Sequence, residues 1–147
     1  AIVNARNETP LTTTGELSSL VDACVPTREP GKHPATRTFQ ALRLFINQEL
    51  AELDAVLPQA LDMLEPGGRL VIISFHSLED RRVKRFFQDA AKCDPFPPDL
   101  PIRAKEISPV ILRPSRPQRP SEGEILDNPR ARSAILRWAQ KSASRQI

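Results

Sequence analysis

A helical spacing of apolar side chains dominates the chain between residues 39 and 64. Eight apolar residues recur there at three- and four-residue steps: Phe39, Leu42, Ile46, Leu50, Leu53, Leu57, Leu61 and Leu64. This spacing places them on one face of a helix. Pro58 lies inside the pattern and cannot donate a backbone hydrogen bond. We therefore predict a kink, or two consecutive helices with Pro58 in the first turn of the second.

A short apolar run follows this helical pattern after a turn at residues 65–68. Residues 69–75 read Arg-Leu-Val-Ile-Ile-Ser-Phe, which predicts a strand buried on both faces of a parallel sheet flanked by helices. Ser77 with Asp80 three residues later matches a capping box, and apolar positions continue a helical face to Ala90. The order helix, strand, helix predicts the α/β fold class.

The flanking parts of the chain carry weaker patterns. Residues 12–16 predict the cap of a short amphipathic helix, and Thr36 or Thr38 is a candidate cap for the long helical region. Residues 95–120 hold eight of the 15 prolines, with one plausible strand at 109–113. A second strand is predicted at 133–139, paired antiparallel with the first.

Composition narrows the class of protein. A chain of 147 residues is long enough to bury one hydrophobic core. Its apolar runs are all much shorter than the stretch of about 18 residues that a membrane-spanning helix needs. The five glycines form no phosphate-binding motif within these residues. The two cysteines and the two histidines are isolated from one another, so we predict no metal site and a reducing, cytoplasmic compartment.

Positive charge is concentrated in two regions, although the net charge is only +3. One is a cluster at residues 81–85, and the other is the segment from residue 113 to the last residue. This asymmetry indicates a polyanionic partner, most simply a nucleic acid. A solvated basic face is the commoner explanation of such charge.

Three segments carry residues suited to chemistry. Residues 74–81 place a histidine, two serines and two carboxylates after the predicted strand, where open α/β sheets bind ligands. Residues 32–40 carry two cations beside the start of a helix, and residues 128–133 carry two arginines beside a turn. Both pairs suit phosphate or carboxylate contacts. Helix capping by Ser77, packing of His76 and solvated surface charge remain open alternatives.

These segments, in this order, resemble the bacterial 16S rRNA (cytosine-N4)-methyltransferases. The residues that carry the resemblance are 31–43 (GKHPATRTFQALR), 66–70 (PGGRL), 73–81 (ISFHSLEDR) and 128–134 (NPRARSA). The resemblance implies the carboxyl half of a class I (Rossmann-like) methyltransferase fold, with the tail of an inserted helical domain. Residues 1–30 would be the end of that helical domain, and residues 31–147 the carboxyl half of the methyltransferase domain.

The resemblance also implies the reaction. Enzymes of this family use S-adenosylmethionine to methylate the exocyclic amine of a cytidine in 16S rRNA of the small ribosomal subunit. Their glycine-containing cofactor loop, adenosine-binding acids and catalytic loop lie in an amino-terminal half that has no counterpart here. We therefore expect the 147 residues alone to be inactive and to bind the cofactor weakly or not at all. The missing amino-terminal half and 16S rRNA would be the partners, and no membrane is expected.

Site residues follow from these segments. We expect Ser74, His76 and Ser77 to line the cytidine pocket as the catalytic candidates. Asp80 and Arg81 would brace that loop, and Arg37 would face the same cleft. The candidates for RNA phosphate contacts are Lys32, Arg82, Lys84, Arg130 and Arg132.

Two other functions are compatible with the sequence. A non-catalytic RNA-binding module would use the basic tail with Trp138 as a stacking platform. Aromatic residues make up only 5% of the chain and there is no tyrosine, so few rings are available to form such a stacking surface. A tryptophan within an apolar strand is also more often part of a core. A protein-interaction module would assemble through an open sheet edge. Neither alternative accounts for the ordered resemblance.

Overall fold

The structure, a computed structural model, describes residues 1–26, 30–92, 109–112 and 114–143. Its elements are α1 (Ile2–Glu8), α2 (Thr14–Cys24), α3 (Thr36–Ile46), α4 (Glu49–Asp62), β1 (Arg69–Ser74), α5 (Ser77–Ala90), α6 (Glu122–Asp127), a 3₁₀ helix (Pro129–Ser133) and β2 (Ile135–Gln140). The chain forms two compact units, residues 1–49 and 50–147. The boundary expected after residue 30 concerns the domains of a longer protein and stays a prediction. No helix in the described ranges is long and apolar enough to cross a bilayer.

The predicted cap of α2 is confirmed within the first unit. The Thr13 side chain accepts a hydrogen bond from the Glu16 backbone N–H at 3.2 Å. The Glu16 carboxylate accepts one in return from the Thr13 backbone N–H at 3.0 Å. This reciprocal capping box satisfies two donors that the first turn of a helix leaves without intrahelical partners.

The start of α3 differs from the prediction. Neither Thr36 nor Thr38 caps this helix, because Thr36 is already its first residue and Ala35 occupies the N-cap position. The His33 ring takes over part of this role, since its Nδ1 accepts a hydrogen bond from the Ala35 backbone N–H at 3.2 Å. His33 is therefore a structural residue of the turn that leads into α3.

The long helical pattern folds as two helices, as one of the alternatives predicted, but the break does not lie at Pro58. The break lies at residues 47–48, where Gln48 has a positive φ of 52° that a continuous helix excludes. Arg43 and Glu49 form an ion pair across it at 2.9 Å. Pro58 sits inside α4 rather than in its first turn. Its exposed position lets water solvate the backbone carbonyl that proline leaves without an intrahelical donor.

The sheet of the second unit is antiparallel where described. β1 and β2 pair from Arg69 opposite Gln140 to Ser74 opposite Ile135, so the predicted parallel arrangement is wrong for these strands. Residues 110–112 and 114–118 run along the other edge of β2, with isolated antiparallel bridges at residues 111 and 118. The antiparallel direction predicted for the strand at 109–113 is confirmed for residues 110–112, but their contacts fall at residues 140–142. Residue 113 of that predicted strand lies outside the described residues. Prolines 114 and 117 lack backbone donors, which interrupts regular pairing.

β1 is buried on one face only, contrary to the prediction. Leu70 and Ile72 pack against the core, whereas Val71 and Ile73, which point the other way, are 54% and 55% exposed. The strand therefore has two apolar faces, and the described residues cover one of them. Because both faces of β1 carry apolar side chains, its sequence shows the uninterrupted apolar pattern that is typical of a fully buried strand.

The core of the second unit lies between α4, α5 and the covered face of the sheet. Its buried members are Leu57, Leu61, Val83, Phe87, Ile111 and Ala139. Burying each of the larger side chains contributes roughly 1.5–3 kcal/mol. This packing fixes α5 on the sheet and thereby fixes the junction between β1 and α5.

The turn into β1 requires glycine at position 67. Gly67 has a φ of 82°, and its N–H and C=O hydrogen-bond to Lys141 and to the Gln140 side chain. Replacing Gly67 with Ala is expected to lower the free energy of unfolding by about 1–2 kcal/mol, because a Cβ disfavours this conformation. Urea denaturation measures the change. Gly123→Ala in α6 is the control, since a Cβ there meets no atom within 4 Å. Equal losses in both variants would contradict the argument.

Candidate functional site

The sheet topology brings two of the three predicted segments to one edge. β1 ends at Ser74, and its partner there is Ile135, the first residue of β2. The 3₁₀ helix that carries Arg130 and Arg132 immediately precedes β2. A bridge between residues 118 and 136 brings Arg119 of the proline-rich segment to the same part of the sheet. Arg119, Arg130 and Arg132 therefore belong to segments next to the end of the sheet where β1 passes into α5.

The third predicted segment belongs to the other unit. Lys32 precedes α3, and Arg37 is the second residue of that helix. Both take part in polar or electrostatic interactions. Their expected roles, Arg37 at the substrate cleft and Lys32 at an RNA phosphate, stay predictions.

His76 and Glu79 form the N-terminal cap of α5. His76 Nδ1 accepts a hydrogen bond from the Glu79 backbone N–H at 3.4 Å. Glu79 Oε2 accepts from the backbone N–H groups of Phe75 at 2.9 Å and His76 at 3.3 Å. The predicted capping box of Ser77 and Asp80 is wrong, because the observed one lies one residue earlier and is formed by His76 and Glu79. The cap moves because the Asp80 carboxylate is held by Arg137 instead.

The cap determines what the His76 ring is able to do. An Nδ1 that accepts a hydrogen bond assigns the neutral ring the tautomer with its proton on Nε2. Nε2 is buried and lies 3.1 Å from Glu79 Oε1, without the alignment of a hydrogen bond. His76 is thus arranged as a donor through Nε2. Taking up a proton at Nδ1 would break the cap.

Asp80 makes a two-pronged ion pair with Arg137 that joins α5 to β2. Arg137 Nε donates to Asp80 Oδ1 at 2.6 Å, and Nη2 donates to Oδ2 at 3.0 Å. The side chains of Arg137 and Asp80 are only 12% and 16% exposed. The hydrogen bonds from Arg137 hold the pKa of Asp80 below its usual value, against the opposing effect of burial. The charges of Arg137, Arg119 and Lys84 lower this pKa further.

Arg137 and Arg119 were not among the predicted site residues. Arg137 lies on the same face of β2 as Ile135 and Ala139, which points toward the core. A lone arginine at an inward position of an apolar strand requires a buried anionic partner, and that is the signal that could have identified it. Arg119 lies in a proline-rich segment whose local sequence gives no comparable signal.

The three catalytic candidates lie in different environments. Ser74 is 3% exposed and belongs to the face of β1 that α5 covers. His76 is half-buried in the cap, and Ser77 is exposed at the first turn of α5. Their catalytic roles stay predictions, and the geometry favours His76 and Ser77 over Ser74 for contact with a ligand.

The basic residues of α5 divide into two groups. Arg82 forms an ion pair with Asp54 of α4, so a carboxylate already neutralises this candidate for phosphate contact. Arg81 lies beside Arg82 in the groove between α4 and α5. Lys84 lies on another side of the helix and is exposed, as are Arg130 and Arg132 at the sheet edge.

Trp138 lies outside the buried core of the second unit, so the interpretation of this residue as core is wrong. It pairs with Val71 on the uncovered face of the sheet. The guanidinium of Arg69 lies 5.0 Å from the centre of the Trp138 ring. Such cation–π contacts contribute about 0.5–1 kcal/mol at exposed sites. One face of the ring is therefore occupied by this chain itself.

Comparison with known proteins gives a consistent set of similarities. Residues 1–142 match the model of a family described as the MraW methylase family. The chain is 56% identical over 141 residues to a protein of Dechloromonas aromatica (strain RCB), which covers 95% of this chain and 46% of that relative. It is 55% identical over 142 residues to a protein of Azoarcus sp. (strain BH72), covering 96% and 46%.

A third relative, from Coxiella burnetii (strain RSA 493 / Nine Mile phase I), is 57% identical over 141 residues, covering 96% of this chain and 46% of the relative. All three relatives carry the name Ribosomal RNA small subunit methyltransferase H. The chain spans about half the length of the curated relatives it matches.

Proposed function

Because the chain belongs to the MraW methylase family, we propose that it is part of an S-adenosylmethionine-dependent enzyme that methylates N4 of a cytidine in 16S rRNA. The observation that carries this proposal is the family membership, and the sheet edge supports it. There the residues expected to line a cytidine pocket stand beside three arginines suited to RNA phosphates. The reaction is proposed to take place in the cytoplasm, on the small ribosomal subunit.

The proposed fold of the whole protein is a class I, Rossmann-like methyltransferase fold. Helices α4 and α5 cover one face of the sheet, and β1 keeps an apolar second face. A doubly covered sheet is typical of α/β proteins, so the uncovered face suits a further layer. The remaining half of the protein is the partner proposed for that face.

His76 and Ser77 are proposed to hold the target base. The Nε2–H of His76 would reach an acceptor atom on the cytosine ring, such as O2 or N3, after the ring turns away from the Glu79 carboxylate that now buries it. It does not suit removal of a proton from the amine, because Nδ1 is engaged in the cap. The base must first leave its stack to reach such a site.

The proton acceptor for the amine is proposed to lie outside the described residues. Glu79 already accepts two backbone N–H groups, and Asp80 is held by Arg137. The carboxylates of Glu79 and Asp80 are thus engaged as hydrogen-bond acceptors for the protein itself. This division fits an active site completed by the other half of the protein.

The described residues do not fit S-adenosylmethionine as a complete site. A cofactor that approaches the backbone closely needs glycines whose missing side chains leave room for it. The junction of β1 and α5, residues 74–77, holds no glycine, and Gly67 and Gly68 lie at the opposite end of β1. We therefore propose that these residues bind the base and RNA, and that the cofactor site lies in the remaining half of the protein.

Cofactor binding provides the first test. Isothermal titration of the 147-residue chain with S-adenosylmethionine is expected to detect no binding with a micromolar Kd, which would correspond to a binding free energy of about −8 kcal/mol. The whole protein, in contrast, is expected to transfer a labelled methyl group to 16S rRNA, and nucleoside analysis should identify N4-methylcytidine. Micromolar binding by this chain alone would contradict the division of the site. A different methylated nucleoside would contradict the proposed specificity.

A further inference from the structure

A cavity of about 230 Å³ opens between α5 and the segment that runs beside β2. The residues that line it are Lys84, Phe87, Gln88, Pro114, Ser115 and Arg137. This volume far exceeds the roughly 10–15 Å³ needed by one buried water, so a polyatomic ligand has room. The cavity is separate from the groove between α4 and α5, which other side chains line.

The helical repeat brings the ligand-facing side chains together. Asp80, Lys84, Phe87 and Gln88 recur at three- and four-residue steps and share one face of α5. Ser115 stands opposite and is fixed at two points. Its backbone N–H donates to the Trp138 carbonyl at 2.8 Å, and its Oγ accepts from the Trp138 N–H at 2.9 Å. The hydroxyl hydrogen of Ser115 is thereby left to donate elsewhere.

Cations outnumber carboxylates around this cavity. Arg137 donates hydrogen bonds to Asp80 through Nε and Nη2, so the N–H groups of Nη1 remain able to donate to a further acceptor. Lys84 and Arg119 both lie close enough to stabilise the Asp80 carboxylate electrostatically. Among the described residues, Lys84 and Arg137 are the charged residues that line the cavity, and Asp80 is the carboxylate on which their charges act, so the excess is positive. Phe87 and Pro114 form an apolar wall that limits screening by water on one side.

We propose that this cavity binds a phosphate group, with Lys84 Nζ, the Ser115 hydroxyl and Arg137 Nη1 as donors to its oxygens. Phosphate offers several acceptor oxygens and up to two negative charges, which suits donors that converge from two sides. The group could be a phosphodiester of RNA or a free phosphate. Only the RNA source rests on the proposed function.

Titration of the full 147-residue chain with inorganic phosphate at constant ionic strength, followed by NMR, tests the site. Resonances of the cavity residues are expected to shift together and to saturate. Lys84→Ala should weaken binding about fivefold or more, and Gln88→Glu, which adds a negative charge, should abolish saturation. Both positions are exposed, so both variants should fold. Arg85→Ala is the control, because it removes the same charge from the groove on the other side of α5.

Competition with a short single-stranded RNA distinguishes the two sources. An RNA that displaces phosphate from the cavity identifies the phosphodiester, and failure to displace it identifies a free phosphate. Shifts spread over the whole basic surface, or equal losses in the Lys84 and Arg85 variants, would overturn the proposal. Failure of the whole protein to methylate RNA would refute the proposed function and leave phosphate binding by the cavity standing.

Discussion

Replacing Asp80 with Asn is expected to lower the free energy of unfolding by about 3 kcal/mol at neutral pH, the lower end of the cost of breaking a buried ion pair. The two hydrogen bonds to Arg137 join α5 to β2, and both side chains are mostly buried. Without the carboxylate, the Arg137 guanidinium keeps its charge in a position where water replaces the lost partner poorly. A loss of this size should lower Tm by roughly 6–15 °C.

The effect should depend on pH in a defined direction. The hydrogen bonds from Arg137 lower the pKa of Asp80 in the folded protein, whereas the unfolded chain titrates near its ordinary value of about 3.9. The stabilisation is therefore complete above about pH 5 and is lost as the pH falls through the folded pKa. The difference between the wild type and Asp80→Asn should shrink below about pH 4.

Urea denaturation at several pH values measures both quantities. Asp54→Asn is the matched control, because it removes a carboxylate from a more exposed ion pair with Arg82. We expect that change to cost at most about 1 kcal/mol. Equal losses for the two variants, or a loss for Asp80→Asn that persists unchanged in acid, would show that the Asp80 ion pair is not the source of stability.

In the whole protein, replacing His76 with Ala is expected to lower kcat for the proposed rRNA methylation by more than about tenfold, which corresponds to about 1.4 kcal/mol of barrier. It should also lower the free energy of unfolding by about 1 kcal/mol, because the cap of α5 is lost. His76→Asn separates these two effects. Asparagine is among the strongest N-cap residues, so it should keep the cap while it removes the imidazole.

Paired measurements of kcat and Tm then distinguish the two roles of His76. A base-binding residue predicts that both variants lose activity and that only the alanine variant loses stability. Normal kcat in His76→Asn would instead identify His76 as a capping residue only. Glu79→Gln is a useful control, since it weakens the same cap from the other side and leaves the imidazole in place.

The elements that sequence predicted best depend on local signals. The capping box of α2, the apolar strand β1 and the helical face of α5 each result from residues close together in the chain. The break between α3 and α4 is different. Gln48 adopts a left-handed conformation, and a glutamine in the sequence does not indicate that conformation. Pro58 is the residue expected to break a helix, yet it is accommodated inside α4.

The details of the site depend on contacts between distant residues. Judged locally, serine is the stronger N-cap residue, so the sequence favours a cap by Ser77 with Asp80 over one by His76 with Glu79. The choice follows from Arg137, 57 positions from Asp80, which holds that carboxylate away from the helix terminus. The meeting of residues 74–81 with residues 128–133 likewise depends on the antiparallel register of β1 and β2, which no local pattern contains.

The contact between Arg69 and Trp138 has a consequence for how this chain behaves among other chains. Val71, Ile73 and Trp138 lie on the face of the sheet that the described residues leave uncovered, and an exposed apolar patch of this kind favours association with other apolar surfaces. A charged side chain next to such a strand raises the cost of that association. By lying across the tryptophan ring, Arg69 covers part of the largest apolar side chain of that face and thereby reduces the apolar area open to such association.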